Sequence, residues 1–404
     1  MKKDIKEFPL LYVNPHSRLI VGWGGHQMAG VECNINNIKH ALLVTTGLKG
    51  TGIVEEIEGI LKQAKVSVTK FTGVTSNPKD YEVVEAYKVY RDAKCDGVVS
   101  VGGGSSQDAG KGVRLLATNE GEKTNMKDFC ALLDPHYTTR IPTFKPINIP
   151  QICINTTTGT GAEGTGFTII SDSDWVYKLI IIVPGIAPSV GIDDPILMRT
   201  QPANIAAWSG MDALVHAIEP NIGRLNLPVS QAVGNRAIKL IAENLREVAA
   251  NRNNDRALEN MCWAQALAGM AFNMGGGMGM VHGIAHMVSV IKDAHHGLTN
   301  AIMLEPVERF NMIANPRAFA EIATYFGVDT RGMTTVQAAE KAIDEIVRLR
   351  NDVGITNISL KQFDITEKDI EHSAKWAVND LSREANPRDM DEQQVKEIMR
   401  SLIF

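Results

Sequence analysis

GVVSVGGGSSQDAGK, residues 97–111, decides the architecture. An apolar, β-branched run forms a strand, Gly102, Gly103 and Gly104 break it, and the residues from Ser105 onward read as a helix carrying Asp108 and Lys111. Strand, glycines, helix is the order that cradles a phosphate: missing side chains let backbone N–H groups come close, and the helix N-terminus adds partial positive charge. Working outward, ALLVTT (41–46) and VSVTKF (66–71) are further β-rich runs. Residues 53–64 and 81–93 carry apolar positions at three-to-four spacing beside charges, as amphipathic crossover helices do. This βαβ rhythm predicts a parallel, doubly wound sheet. Beyond it the pattern turns helical, over 231–251, 256–272, 316–325 and 335–352. The turn-rich PGIAPSVGIDDP (184–195) separates the two, so we expect an α/β domain over 1–190 and an all-helical domain over 191–404.

With 404 residues, 44% hydrophobic and 22% charged, the chain can bury a large core. A net charge of -5 without a basic stripe argues against nucleic acid as a partner. The opening MKKDIKEFPLLYV has neither an apolar run of spanning length nor a secretion signal, which makes cytoplasm the expectation and a membrane role unexpected. Cys33, Cys95, Cys130, Cys153 and Cys262 are scattered with no CxxC pair, as reduced packing thiols are.

A second glycine-broken segment, NTTTGTGAEGTGF (155–167), concentrates hydroxyls and free amides that suit ribose and phosphate oxygens. GGGMG (275–279) lies in the helical half and reads as close helix or ligand approach rather than another cradle. Five of the ten histidines fall between 212 and 296. Asp212 and His216 are i,i+4 in an apolar helical run and project from one face, about 40° apart. His282 and His296 would stand roughly 21 Å apart in one continuous helix, so sharing an ion requires the chain to turn between them. The polar break around Asp293, His295 and Gly297 supplies that turn and would return His296 from a loop. One carboxylate and three imidazoles make a divalent site suited to Fe(II) or Zn(II).

GGGSSQDAGK, NTTTGTGAE and DDP, followed by GMDALVHAIE, VHGIAH and HGLTNA, resemble in order and spacing the iron-containing (group III) alcohol dehydrogenases, nearest the 1,3-propanediol and short-chain alcohol dehydrogenase branch. The resemblance spans essentially the whole chain. It implies a Rossmann-like N-terminal domain binding NAD or NADP, a helical C-terminal domain binding Fe(II) (with Zn(II) possible), a dehydroquinate synthase-like architecture and an active site between the domains. It makes Asp212, His216, His282 and His296 the metal ligands. It assigns cofactor contacts to Asn77, Gly103, Gly104, Ser105, Asp108, Thr156, Thr157, Thr160 and Lys178, and to the segment at Leu197. His286 matches a family histidine that lies near the nicotinamide without being a ligand, and we take it as a proton relay. The implied reaction is reversible hydride transfer between a small primary alcohol or diol and nicotinamide, in a homodimer or larger homo-oligomer.

The sequence also departs from the family. Thr46 and Gly47 stand where members commonly have Asp after the strand, with Lys49 nearby, which predicts weaker discrimination against NADP. Glu305-Pro306 replaces Pro-His, and the segment before His282 runs one residue long, which bears on pocket shape and substrate. Trp208, Phe272 and Met280 are candidate pocket residues. Three alternatives remain: reduction of a charged aldehyde or oxidation of an ω-hydroxy acid (sulfoacetaldehyde or 4-hydroxybutyrate type), a dehydroquinate-synthase-like lyase, and a non-enzymatic binding protein.

Overall fold

Residues 17–120, 125–130, 144–225 and 227–404 are described by the computed structural model, so the opening segment read above for targeting lies outside the described residues. Six short strands form one parallel sheet: β1 (Arg18–Val21), β2 (His40–Thr45), β3 (Ser67–Phe71), β4 (Gly97–Gly102), β5 (Gln151–Asn155) and β8 (Val190–Asp193). Their order is β1-β8-β5-β4-β2-β3. An antiparallel hairpin, β6 (Thr168–Asp172) with β7 (Tyr177–Ile181), stands apart. The crossovers are α1 (Ala29–Ile35), α2 (Ile53–Gln63), α3 (Asp80–Asp92) and α4 (Gly104–Thr118).

Alternation along β2 shows why the sheet is wound on both faces. Ala41 and Leu43 pack with Ala29 and Cys33 of α1 and Ile53, Ile57 and Leu61 of α2. Leu42 and Val44 point the other way, into a core with Val83 and Ala86 of α3 and Ala109 and Val113 of α4. The register pairs Thr45 with Val101, Gly102 with Asn155, and Asn155 with Asp193, so the loops leaving β4 and β5 emerge along one edge of the sheet.

Against that edge stands the helical half. It comprises α5 (Pro195–Met198), α6 (Ala203–Ile222), α7 (Pro228–Ala250), α8 (Asp255–Ala271), α9 (Met280–Lys292), α10 (His296–Asn311), α11 (Pro316–Tyr325), α12 (Thr335–Asp352), α13 (Glu367–Ala377) and α14 (Glu392–Ser401). Every residue of α6 from Ser209 to Ile222 is buried, which fits its alanine-rich, nearly uncharged sequence and its place at the centre of the bundle.

Two expectations change. The segment 184–195 is not a plain linker: it contains β8, inserted between β1 and β5, so the sheet runs to Asp193, past the expected boundary at 190. Four residues (VGID) among turn formers give no strand periodicity to read. His296 is the first residue of α10 rather than part of a loop; the turn before it is made by Asp293, with φ +49°.

Candidate metal centre and nucleotide cleft

Three helices deliver the four expected ligands to one point. Asp212 and His216 lie one turn apart on α6, His282 sits in the first turn of α9, and His296 opens α10 after the reversal at Asp293. One ligand atom from each residue lies within 4.8 Å of all the others. Asp212 Oδ1 is 4.0 Å from His216 Nε2, 4.0 Å from His282 Nε2 and 3.7 Å from His296 Nε2. Neighbouring ligands of one ion bound at ~2.1 Å stand ~3.4 Å apart in a tetrahedron, so these separations are wider and suit a shared divalent ion after a small inward shift of the side chains.

The ring tautomers agree with that reading. His216 Nδ1 donates to the Gly159 carbonyl at 3.2 Å and His282 Nδ1 to Glu219 Oε2 at 2.5 Å, which leaves both Nε2 lone pairs facing the centre. The Asn300 amide nitrogen stands within reach of three acceptors, at 2.6 Å from Asp212 Oδ1 and 3.1 Å from each of His282 and His296 Nε2. Two amide hydrogens cannot satisfy three acceptors, so the donor set has capacity for a cation. Burial pushes His216 down to about 4 and His296 well below the usual imidazole value, so both rings are neutral, as ligands must be. For His282 burial pulls the same way, but the Glu219 carboxylate outweighs it and raises the ring.

A cleft joins this centre to the sheet edge. Asp212, His216 and His296 form one wall, and Asn77, Gly103, Gly104, Ser105, Asp108, Thr157, Thr160 and Lys178 line the remainder. A Cβ on Gly103 would stand 3.0 Å from Thr157 Cγ2, and one on Gly104 3.1 Å from Thr160 Cγ2, so the bare glycine turn is what leaves room beside the threonine side chains. α4 begins at Gly104 with no side chain capping its N-terminus, which leaves its first N–H groups for a pyrophosphate. A dinucleotide fits this cradle.

Several expected contacts differ in detail. Thr156 is buried, with its N–H on the Gly102 carbonyl, and Leu197 is packed in the apolar core below the sheet; neither lines the cleft. Asn77 is already engaged: its amide donates to Asp293 and to the Ala294 carbonyl, and its oxygen accepts from Lys178 Nζ at 2.6 Å. Burial lowers Lys178 to about 8. Both Asp108 oxygens are also bonded, one to Lys111 and one to the Ile169 N–H. Phe272 lines the cleft as anticipated, whereas Met280 is fully buried core and Trp208 packs against the His295 ring at 5.0 Å, outside the lining.

His286 lies one turn beyond His282 on α9. Its Nδ1 bonds Asp380 at 3.1 Å, its Nε2 has no partner among the described residues, and its side chain borders both the cleft and an adjoining apolar chamber. Burial lowers its pKa against the opposing pull of Asp380. That chamber is walled by Phe167, Ile169, Ile180, Ile182, Phe272, Met278 and Leu381, with Glu384 at its border. GGGMG serves close helix approach, since a Cβ on Gly276 would meet Pro220 Cβ at 2.6 Å.

Sequence reasoning missed Glu219, Asn300 and Asp380. Glu219 had a signal: it lies seven residues after Asp212, on the same face of an apolar helix. Asp380 is 94 residues from His286, and nothing local announces it.

Comparison with known proteins agrees with the geometry. Residues 15–195 match the iron-containing alcohol dehydrogenase family and residues 206–403 its C-terminal part. The chain is similar to 1,3-propanediol dehydrogenase of Citrobacter freundii (40% identity over 376 residues, 92% of this chain and 94% of the relative). It is also similar to a methanol:N,N-dimethyl-4-nitrosoaniline oxidoreductase of a Mycobacterium species (39% over 379 residues, 93% and 87%). A crystal structure of a 1,3-propanediol oxidoreductase superposes with a TM-score of 0.90 at 37% identity, covering 98% of this chain and all of that one. Four convergent candidate ligands, three of them lining the cleft that Gly103 and Gly104 border, with matches across both halves, place the chain in the iron-containing alcohol dehydrogenase family.

Proposed function

We propose that this dehydrogenase exchanges a hydride between a small, uncharged primary alcohol or diol and NAD(P), with Asp212, His216, His282 and His296 holding its Fe(II). One observation carries the reading: the carboxylate and two of the three imidazoles of the ligand cluster line the same cleft as Gly103, Gly104 and Ser105. A divalent ion held there supplies Lewis-acid stabilisation of alkoxide character, and bound nicotinamide supplies the hydride partner. The chain itself positions. The glycine turn and Thr157 and Thr160 hold the cofactor's phosphates and ribose, Phe272 and Phe167 exclude water, and the free Nε2 of His286 takes or returns the alcohol proton while Asp380 fixes the ring.

The apolar chamber beside His286 favours an alcohol with a neutral tail. Among the described residues its lining offers the Glu384 carboxylate and neither Lys nor Arg, which disfavours a carboxylate- or sulfonate-bearing substrate. Because β2 ends at Thr45, Thr46 and Gly47 with no acid to repel a 2′-phosphate, we also propose tolerance of NADP. The nucleotide-binding and metal-binding domains divide between β8 and α6 in this reading. We place the protein in the cytoplasm as a homo-oligomer, the oligomer supported by β1 lying at the edge of the sheet among the described residues and by the exposed Trp23, Met28, Val31 and Ile35 nearby in sequence. No single helix among the described residues is long and apolar enough to cross a membrane.

Iron-reconstituted protein assayed with propanediol, butanol, 4-hydroxybutyrate and sulfoacetaldehyde, with each nicotinamide cofactor, tests this. Neutral alcohols turning over with kcat/KM at least ~100-fold above the anionic substrates, about 2.7 kcal/mol of discrimination, is the expected result. Preference for an anionic substrate would reject the tail assignment, and a thousandfold preference for NAD would reject NADP tolerance. Asp212→Asn should abolish turnover while retaining dinucleotide binding; an active variant would remove the metal from the chemistry.

A further inference from the structure

We propose that Glu219 is the positioning residue of the metal centre, holding His282 in its ligating tautomer and its helix in place; the inference rests on the metal reading above. Glu219 lies on α6 one turn beyond His216, is 2% exposed, and directs both oxygens at the start of α9. Its Oε1 accepts the backbone N–H of Val281 at 2.8 Å and that of His282 at 3.4 Å, and with Asn386, which takes the N–H of Met280 at 3.0 Å, it caps a helix whose N-cap residue, Gly279, has no side chain to do so. Its Oε2 accepts a hydrogen bond from the Nδ1–H of His282. Gly279 makes room for this, because a Cβ there would stand 2.7 Å from Glu219 Oε1. One carboxylate therefore ties the helix bearing Asp212 and His216 to the helix bearing His282 and His286. It keeps the His282 proton on the nitrogen that faces away from the centre.

Glu219→Gln separates the tautomer role from the cap. The glutamine carbonyl still accepts the α9 N–H groups, but its amide donates to Nδ1 and sends the ring proton to Nε2, where it blocks the lone pair that a cation needs. Zn(II) and Fe(II) affinities are measured by competition with a chromophoric chelator, without any turnover assay, beside the melting temperature of the metal-free protein. A 10- to 100-fold loss of affinity with a melting temperature close to wild type is expected. Unchanged affinity overturns the proposal, and so does a fall in melting temperature that accounts for the lost binding. Should the variant not fold, 15N imidazole spectra of the metal-free wild type, recorded above the titration of His282 so that the ring is neutral, decide: His282 protonated on Nδ1 supports the proposal, and on Nε2 overturns it. Wild-type protein that binds neither metal would instead reject the metal reading itself.

Discussion

His26 is a buried imidazole far from the cleft chemistry, 2% exposed and held between two carboxylates. Its Nδ1 bonds Asp194, its backbone N–H bonds the same oxygen at 3.1 Å, and its Nε2 lies 3.0 Å from Glu56. The Asp194 hydrogen bond, aided by Glu56 and opposed by burial, raises the ring above its ordinary value. The protonated form is therefore favoured in the folded state. Its stabilisation is complete below the unfolded value of about 6.5 and is lost as pH rises through the raised folded value. His26→Gln should cost about 1–3 kcal/mol at the acid end, and the melting-temperature gap to wild type should narrow as pH rises above about 6.5. A gap independent of pH would show that the ring is neutral. Residues of this kind mark the limit of what the sequence displays. Asp212 and the three histidines were legible because few arrangements other than a metal site need that set of side chains, whereas Glu219, Asn300 and Asp380 act through hydrogen bonds that only the tertiary fold creates.

Among elements, length decided legibility. The helices expected over 316–325 and 335–352 coincide with α11 and α12, because many turns of amphipathic spacing leave little ambiguity. β8, four residues long, was hidden in turn-rich sequence, whereas the β6–β7 hairpin was missed although its strands, TIISD and YKLII, are β-rich and buried. Crossings between elements were equally hidden, and one carries a prediction. At the start of α10, a Cβ on Gly297 would collide with the Trp208 carbonyl oxygen, with the carbonyl carbon 2.8 Å and Asp212 Cβ 3.2 Å away. Backbone cannot rotate aside, so only glycine lets α10 approach α6 closely enough to set His296 beside Asp212. Gly297→Ala should cost about 1–3 kcal/mol from overpacking. It should also weaken Zn(II) binding roughly tenfold or more by moving His296 outward, with a smaller effect on NADH binding. Chelator competition and NADH fluorescence titration on the same variant check this; intact metal affinity would mean that the crossing tolerates a methyl group.

For the whole molecule, a doubly wound sheet set against a helical bundle was readable from periodicity, but the polar part of the joint between them was not, because single contacts between distant residues make it, beside an apolar cluster that runs through both halves. Asp193 ends β8, Glu163 lies in the loop after the cleft threonines, and Gln265 of α8 donates to both, at 2.8 Å and 3.1 Å. Both carboxyls are fully buried and raised, first by burial; Asp193 lies well above its usual value, with the Glu163 charge adding to the effect. Lys111 is the cation acting on Glu163, while Cys262 on α8 and Cys153 on β5 face the pair as neutral thiols. We expect the two carboxyls, both raised by burial, to hold one proton between them that the unfolded chain releases near pH 4. Folding takes that proton up, so this joint loses stability as pH rises from about 4 toward the raised folded value. Asp193→Asn keeps an oxygen for Asn155 and Gln265 and offers Glu163 an N–H in place of the shared proton. The variant should match or exceed wild type at neutral pH, and its advantage in chemical denaturation should grow with pH. A variant less stable than wild type at every pH, or a constant difference, would show that the two carboxyls do not hold a common proton.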